Sequence, residues 1–331
     1  MEKKLLSIKD LHVMYKTDDA DVYAVNGLNL DLNFGETLGL VGETGAGKTS
    51  TALSIMRLLP DRIGKITKGE IVLNGVHTLD ITDGQMDTLR GATVSMIFQD
   101  PMTSLNPVMK VGTQIEEVLI SHNKNATKEE ISKRVDEMFE LIGISPDRKN
   151  EYPHQFSGGM KQRIVIAIAL ACEPMLLLAD EPTTALDVTI QAQVLQMMNE
   201  LKEKLNTSIL LITHDLGVIA QTCDRVAVMY AGTIVETGTT YDIFENEEHH
   251  PYTVGLFGSI PHLNANEKRL HPIDGLMPDP TVIPNGCGFA DRCPMASENC
   301  FTERPVAHAA NGHAIFCHKC KYPVLETPKG E

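Results

Sequence analysis

An α/β fold built around a phosphate loop is predicted by three observations. Gly42-Glu43-Thr44-Gly45-Ala46-Gly47-Lys48-Thr49 fits G-x-x-x-x-G-K-[ST] and stands between an apolar run ending at Val41 and a helical run. Short apolar runs at 94–99 (VSMIFQ), 175–179 (MLLLA) and 208–213 (SILLIT) read as buried strands. The last two deliver Asp180-Glu181 and His214 at their carboxyl ends, where ligands sit in open α/β sheets.

At 331 residues the chain has room for about two domains. Its net charge of −15 argues against a nucleic-acid surface. No apolar run approaches the roughly 18 residues of a membrane span, the longest candidate being Ile164–Cys172. The start, MEKKLLSIKD, is charged and lacks an apolar segment of the secretory kind, so a cytoplasmic setting is expected. In that reducing compartment the seven cysteines are not expected to form structural disulfides.

In chain order, Leu5 to Val41 is strand-like, with turns at Asn26-Gly27 and Phe34-Gly35. Tyr15 lies on the first strand, as a half-buried aromatic or as a platform for a nucleobase. The glycines of the phosphate loop let several N–H groups point inward at the positive end of the next helix. Lys48 would reach the β and γ phosphates and the Thr49 hydroxyl would hold Mg²⁺. The helix is expected to run through Ser50–Leu59 to Pro60, and Gly69–Gly75 is a further strand and turn.

Gln99 ends the 94–99 strand, either to touch a metal or attacking water or as an ordinary loop amide. A turn-rich stretch, MTSLNP, follows, and residues 111–143 read as helical. Thr127 and Glu130 have capping-box spacing, and Ile131, Val135, Met138, Phe139 and Ile142 make one core-facing stripe. Phe156-Ser157-Gly158-Gly159-Met160 opens a long helix, and Ser157 with its glycines could cap that helix or bind an anion. Asp180 and Glu181 suit a division of labour, one holding Mg²⁺ through water and the other orienting or deprotonating an attacking water. A helix striped by Ile190, Val194, Met197, Met198, Leu201 and Leu205 comes next, and Arg225–Thr237 reads as a hairpin turning at Ala231-Gly232.

GETGAGKT (42–49), Gln99, FSGGM (156–160), LLLADE (176–181), ALD (185–187) and His214, in this order, resemble the nucleotide-binding subunit of ATP-binding-cassette (ABC) transporters. Met160 replaces the commoner glutamine and Thr49 the commoner serine; Thr49 keeps the hydroxyl, whereas Met160 is not counted as a ligand. The resemblance implies a RecA-like core with an antiparallel β subdomain and an α-helical subdomain at about 100–165, within an ABC domain spanning 1–258. It assigns Tyr15 to adenine, Gly42–Thr49 with Lys48 to phosphates, and Thr49, Gln99 and Asp180 to Mg²⁺. Glu181 becomes general base and His214 a γ-phosphate contact, while Ser50 and Asp187 join the nucleotide-binding set. Ser157, Gly158 and Gly159 would act on the nucleotide of a second ABC ATPase subunit.

IFQDPMTSLNP (97–107), His250-Pro251-Tyr252-Thr253 and GCGFADRCPMASENC (286–300) are more narrowly similar to ATP-binding subunits of bacterial oligopeptide and dipeptide importers, a group that includes nickel and glutathione systems. That likeness implies a related ATPase chain as heterodimer partner, two membrane permeases, an external binding protein, and a place at the cytoplasmic face of the membrane. Residues 259–331 then form a cysteine-rich extension. Cys287, Cys293, Cys300 and Cys317, with Cys320 spare and His313 and His318 close by, supply the ligand count of a [4Fe–4S] cluster or a structural zinc. Only Cys317 and Cys320 are paired as in a zinc knuckle. The importer likeness favours the cluster.

Overall fold

The computed structural model describes residues 3–100, 104–184, 186–259 and 272–325. Parts of the sequence landmarks lie outside the described residues: 101–103 of the 97–107 stretch, 185 of the ALD turn, and 260–271 and 326–331 of the tail.

The strand-like start forms a long antiparallel pair, β1 (Lys4–Lys16) and β2 (Asp21–Asn33). Next come β3 (Thr37–Val41) and α1 (Lys48–Met56). The helix stops short of Pro60. Arg57 takes a left-handed φ of 51°, and its guanidinium is held by the Thr78 and Ile81 carbonyls and the Asp83 carboxylate. β4 (Gly64–Leu73) begins before Gly69, and β5 (Val76–His77) follows an Asn74-Gly75 turn. Gly69 lies inside β4 because it passes so close to the Asp10 and Leu11 backbone that a Cβ has no room. These strands make a four-stranded sheet of order β2-β1-β4-β5.

Among the described residues the second sheet has eight strands. Its parallel members are β6 (Val94–Ile97), β7 (Leu176–Asp180), β8 (Ser208–Ile212), β3 and β9 (Arg225–Tyr230). β10 (Thr233–Thr239) folds back on β9 through Ala231-Gly232, as the hairpin reading expected. β3, β7 and β8 are buried along their whole lengths, which accounts for their continuous apolar runs. Because the central strands are parallel, the segments after β3, β6, β7 and β8 all emerge at one edge.

The stretch expected as helix over 111–143 is two helices, α2 (Val111–His122) and α3 (Lys128–Leu141). The chain breaks between them, and Thr127 and Glu130 restart the helix by hydrogen-bonding each other's backbone N–H. The stripe from Ile131 to Ile142 is buried in the core shared with α4 (Gly158–Leu170) and α5 (Val188–Leu205). Among the described residues no helix is long and apolar enough to cross a membrane.

The tail strands β11 (Ala307–Ala310) and β12 (His313–Phe316) join the main sheet, β12 pairing with β10 at Glu236↔Ile315 and Thr237↔Ala314. His313 therefore lies in a buried polar knot. Its Nε2 and the His249 Nδ1 contact Glu236 Oε1 at 2.8 and 2.7 Å, and the His250 N–H donates to Oε2. Burial alone would raise the Glu236 carboxyl, but the contacts from His249 and His313 hold it down at about 2. A carboxyl depressed below its usual 4.5 contributes stability present above that pH and lost as pH falls toward 2. Urea midpoints measured from pH 6 down to 3 should thus fall more steeply for the wild type than for Glu236→Gln; parallel slopes would contradict the knot's role.

Candidate nucleotide site

The site lies at the common edge of β3, β6, β7 and β8. After Val41 the chain turns through Gly42, where a Cβ would run into the Met229 carbonyl oxygen. Gly47, at φ 103°, caps α1 with the Ala24 carbonyl against its Cα hydrogens. Only glycine fits either position. Lys48, 6% exposed, donates to the Gly42 and Glu43 carbonyls at 2.7 and 3.0 Å. Burial pushes its ammonium down, opposed by the charges of Glu181, Asp180 and Glu43. The ammonium thus sits folded under the loop, beside carboxylates and ready for an anion.

The Thr49 hydroxyl donates to Asp180 Oδ2 at 2.8 Å, joining the start of α1 to the end of β7. Asp180 is 2% exposed, and burial raises its carboxyl despite the Thr49 bond. A hydroxyl and a buried carboxylate in contact are a hard-oxygen donor set suited to Mg²⁺. One residue on, Glu181 has a left-handed φ of 48° and is pinned by its N–H to the Ile212 carbonyl on β8. That conformation is uncommon for a residue with a Cβ and turns its side chain toward the loops. There Gln99 Nε2, Thr184 Oγ1 and His214 Nδ1 lie 3.1, 2.9 and 3.1 Å from its carboxylate oxygens. Burial would raise the Glu181 carboxyl, but bonds from His214, Thr184 and Gln99 outweigh it and keep the group ionised.

The Tyr15 hydroxyl donates to Ser50 Oγ at 3.0 Å, placing its ring beside the start of α1. Glu43 differs from its neighbours in the loop. Its N–H donates to the Tyr252 hydroxyl at 2.8 Å and its carboxylate pairs with Arg292. Neither Thr184, Tyr252 nor Arg292 was singled out as a site residue by sequence reasoning, although Tyr252 and Arg292 lie inside stretches that carried the importer likeness.

Ser157 accepts from the Met160 N–H as the N-cap of α4, Asp187 accepts from the Ile190 N–H as that of α5, and Gly159 packs on Ile190. Among the described residues none of these makes a hydrogen bond or ion pair to the phosphate loop. The sequence-predicted residues therefore fall into two groups in one chain, a phosphate-loop group and a signature group.

Cys287, Cys293, Cys300 and Cys317 line one small cavity with Phe289 and His318. Burial pushes the Cys287 thiol up to about 11 and raises Cys293 and Cys317 as well. The only group of three metal-ligating atoms within 4.8 Å of one another, among the described residues, is Glu236, His249 and His313. No three of these sulfurs lie within 4.8 Å of one another among the described residues.

A phosphate loop and paired carboxylates at the carboxyl edge of a parallel sheet define a nucleoside triphosphatase of the phosphate-loop class. Comparison with known proteins agrees. The ABC transporter family model matches residues 25–184, and that of the oligopeptide/dipeptide transporter C-terminal region matches 235–300. A dipeptide transport ATP-binding protein, DppD of Bacillus subtilis, is 54% identical over 95% of this chain and 94% of its own. The oligopeptide transport ATP-binding protein OppD of Escherichia coli is 48% identical over 95% and 93%. A solved dimeric ATP-binding cassette bound to ADP and Pi is 28% identical with a TM-score of 0.64, over 71% of this chain and 98% of that one. The chain belongs to the family of ATP-binding subunits of ABC peptide transporters. It is an ATPase and binds ATP with Mg²⁺.

Proposed function

We propose that this chain is the subunit that hydrolyses ATP to drive import of di- and oligopeptides through a membrane transporter. The observation that carries the reading is near full-length similarity to dipeptide and oligopeptide transport proteins, together with the match of residues 235–300. In this role residues 1–258 form the ABC domain and 259–331 a cysteine-rich extension. Two permeases span the membrane, and the chain works at its cytoplasmic face.

Gly42 to Lys48 hold the phosphates and Tyr15 stacks on adenine, with Ser50 at the border of the nucleotide, while Asp187 stands with the signature group. Thr49, Gln99 and Asp180 hold Mg²⁺, which when bound offsets charge on the phosphate oxygens. Glu181 is ionised and takes a proton from the attacking water at its carboxylate oxygen. His214, which contacts Glu181, orients it and reaches toward the γ-phosphate. The separation of Ser157, Gly158 and Gly159 from the chain's own phosphate loop supports a site completed by a second ATPase subunit, a related chain in a heterodimer. ATP at such an interface holds the two together until it is cleaved.

Reconstituting the chain with its permeases and partner in vesicles tests the transport reading. ATP-dependent uptake of labelled peptides is expected; uptake of nickel or glutathione but not peptide would redirect the substrate, and ATP hydrolysis with no uptake would contradict the role.

The four-thiol cavity is read as a [4Fe–4S] site in preference to zinc. Four thiols on one cavity, a single cysteine pair with zinc-knuckle spacing and an extension poor in helices support that choice. Protein purified anaerobically should carry about four irons and a broad visible absorption. Stoichiometric zinc, or no metal, would overturn the assignment.

A further inference from the structure

The contact between the cysteine-bearing segment and the phosphate loop has no counterpart in the roles assigned above. Arg292 lies directly before Cys293, its backbone set by a tight turn in which the Ala290 N–H donates to the Cys287 carbonyl and the Cys293 N–H to Ala290. The guanidinium reaches back across 249 positions to the carboxylate of Glu43, Nη1 to Oε2 at 2.7 Å and Nη2 to Oε1 at 3.2 Å. Its other donors go to the Asp274 and Ile273 carbonyls and the Tyr230 hydroxyl. All five N–H groups are thereby used, and the side chain is only 5% exposed. Glu43 is held from its other end as well, by its N–H to the Tyr252 hydroxyl, and its carbonyl accepts from Lys48. Tyr230, Tyr252 and Phe289 pack their rings on one another around this contact.

We propose that Arg292 is a positioning residue for nucleotide, holding Glu43 and through it Lys48, so that the order of the Cys287–Cys300 loop sets the affinity of the phosphate loop for ATP. A bidentate arginine–carboxylate pair fixes geometry as well as charge. Its shift moves the carbonyl on which the Lys48 ammonium rests. Any event that loosens the thiol-bearing turn, such as loss of what the thiols bind or their oxidation, therefore reaches the phosphates through two residues. The inference rests on the phosphate-loop reading of residues 42–49.

Binding of a fluorescent ATP analogue with Mg²⁺ to the full purified chain tests it, with circular dichroism and melting temperature as checks of folding. Arg292→Met should raise Kd about tenfold, a usual size for coupling between linked sites, and Arg292→Lys should recover part of it. Glu43→Gln should weaken binding similarly, and the double variant no further, because both changes remove one contact. Cys293→Ser should raise Kd in the wild-type background but not in Arg292→Met. Should Arg292→Met fail to fold, Glu43→Gln on the more exposed side of the pair carries the same comparison with Cys293→Ser. Folded Arg292→Met or Glu43→Gln chains that bind like wild type, or fully additive effects, would overturn this inference alone. A wild-type chain that binds no nucleotide would overturn the phosphate-loop reading with it.

Discussion

Lys48→Ala is expected to weaken ATP binding on the order of a hundredfold, about 2.8 kcal/mol. Lys48 is buried under the loop, its ammonium already desolvated, so the cost of bringing a cation out of water is met in folding and is not repeated on binding. Removing it leaves phosphate charge facing Asp180 and Glu181 with no cation from the protein, and the two carboxylates then repel the ligand. Losses of 2 kcal/mol and more are usual when one partner of a buried charge pair is truncated. The backbone cradle made by Gly42 and Gly47 survives the change, so some binding remains. Equilibrium titration with a labelled nucleotide measures the effect, and an unchanged affinity would refute the assignment of this loop.

Glu181→Gln should leave that affinity nearly intact while lowering steady turnover 10²–10⁴-fold, the usual contribution of a positioned base. The amide keeps the shape and one acceptor oxygen but cannot take a proton. It also presents an NH₂ among Gln99 Nε2, Thr184 Oγ1 and His214 Nδ1, of which Gln99 is a fixed donor. Assembled with its partners, the variant should accumulate as a closed, nucleotide-bound pair, visible as a slower-dissociating complex in size-exclusion runs with ATP and Mg²⁺. Turnover at the wild-type rate would remove Glu181 from the role of base. Asp180 would not substitute for it, since in the proposed role its carboxylate holds Mg²⁺.

Much of this site is legible in the chain because its parts are local. The phosphate loop is eight consecutive residues whose backbone does the binding, so residue types and spacing suffice. Asp180, Glu181 and His214 announce themselves by following apolar runs, and Thr127 with Glu130 marks a helix start within four residues. The errors were also local: a helix carried past Met56 and a helix assumed continuous across 123–127. In the first, left-handed Arg57 held by distant groups ended the helix; in the second, the extended Thr127 capped by Glu130 started a new one.

The sequence by itself determined that this protein has a phosphate loop, paired carboxylates and a tail of five cysteines, since each is a short pattern whose chemistry is carried by neighbours in the chain. Only the tertiary structure decided that Thr49 meets Asp180, that Glu236 takes in His249 and His313, and that Arg292 grips Glu43. Those pairs are separated by 131, 13, 77 and 249 positions. Such contacts follow from strand order and from the docking of the tail on β10, which arise from burial of the whole core and leave no periodic trace in the residues themselves.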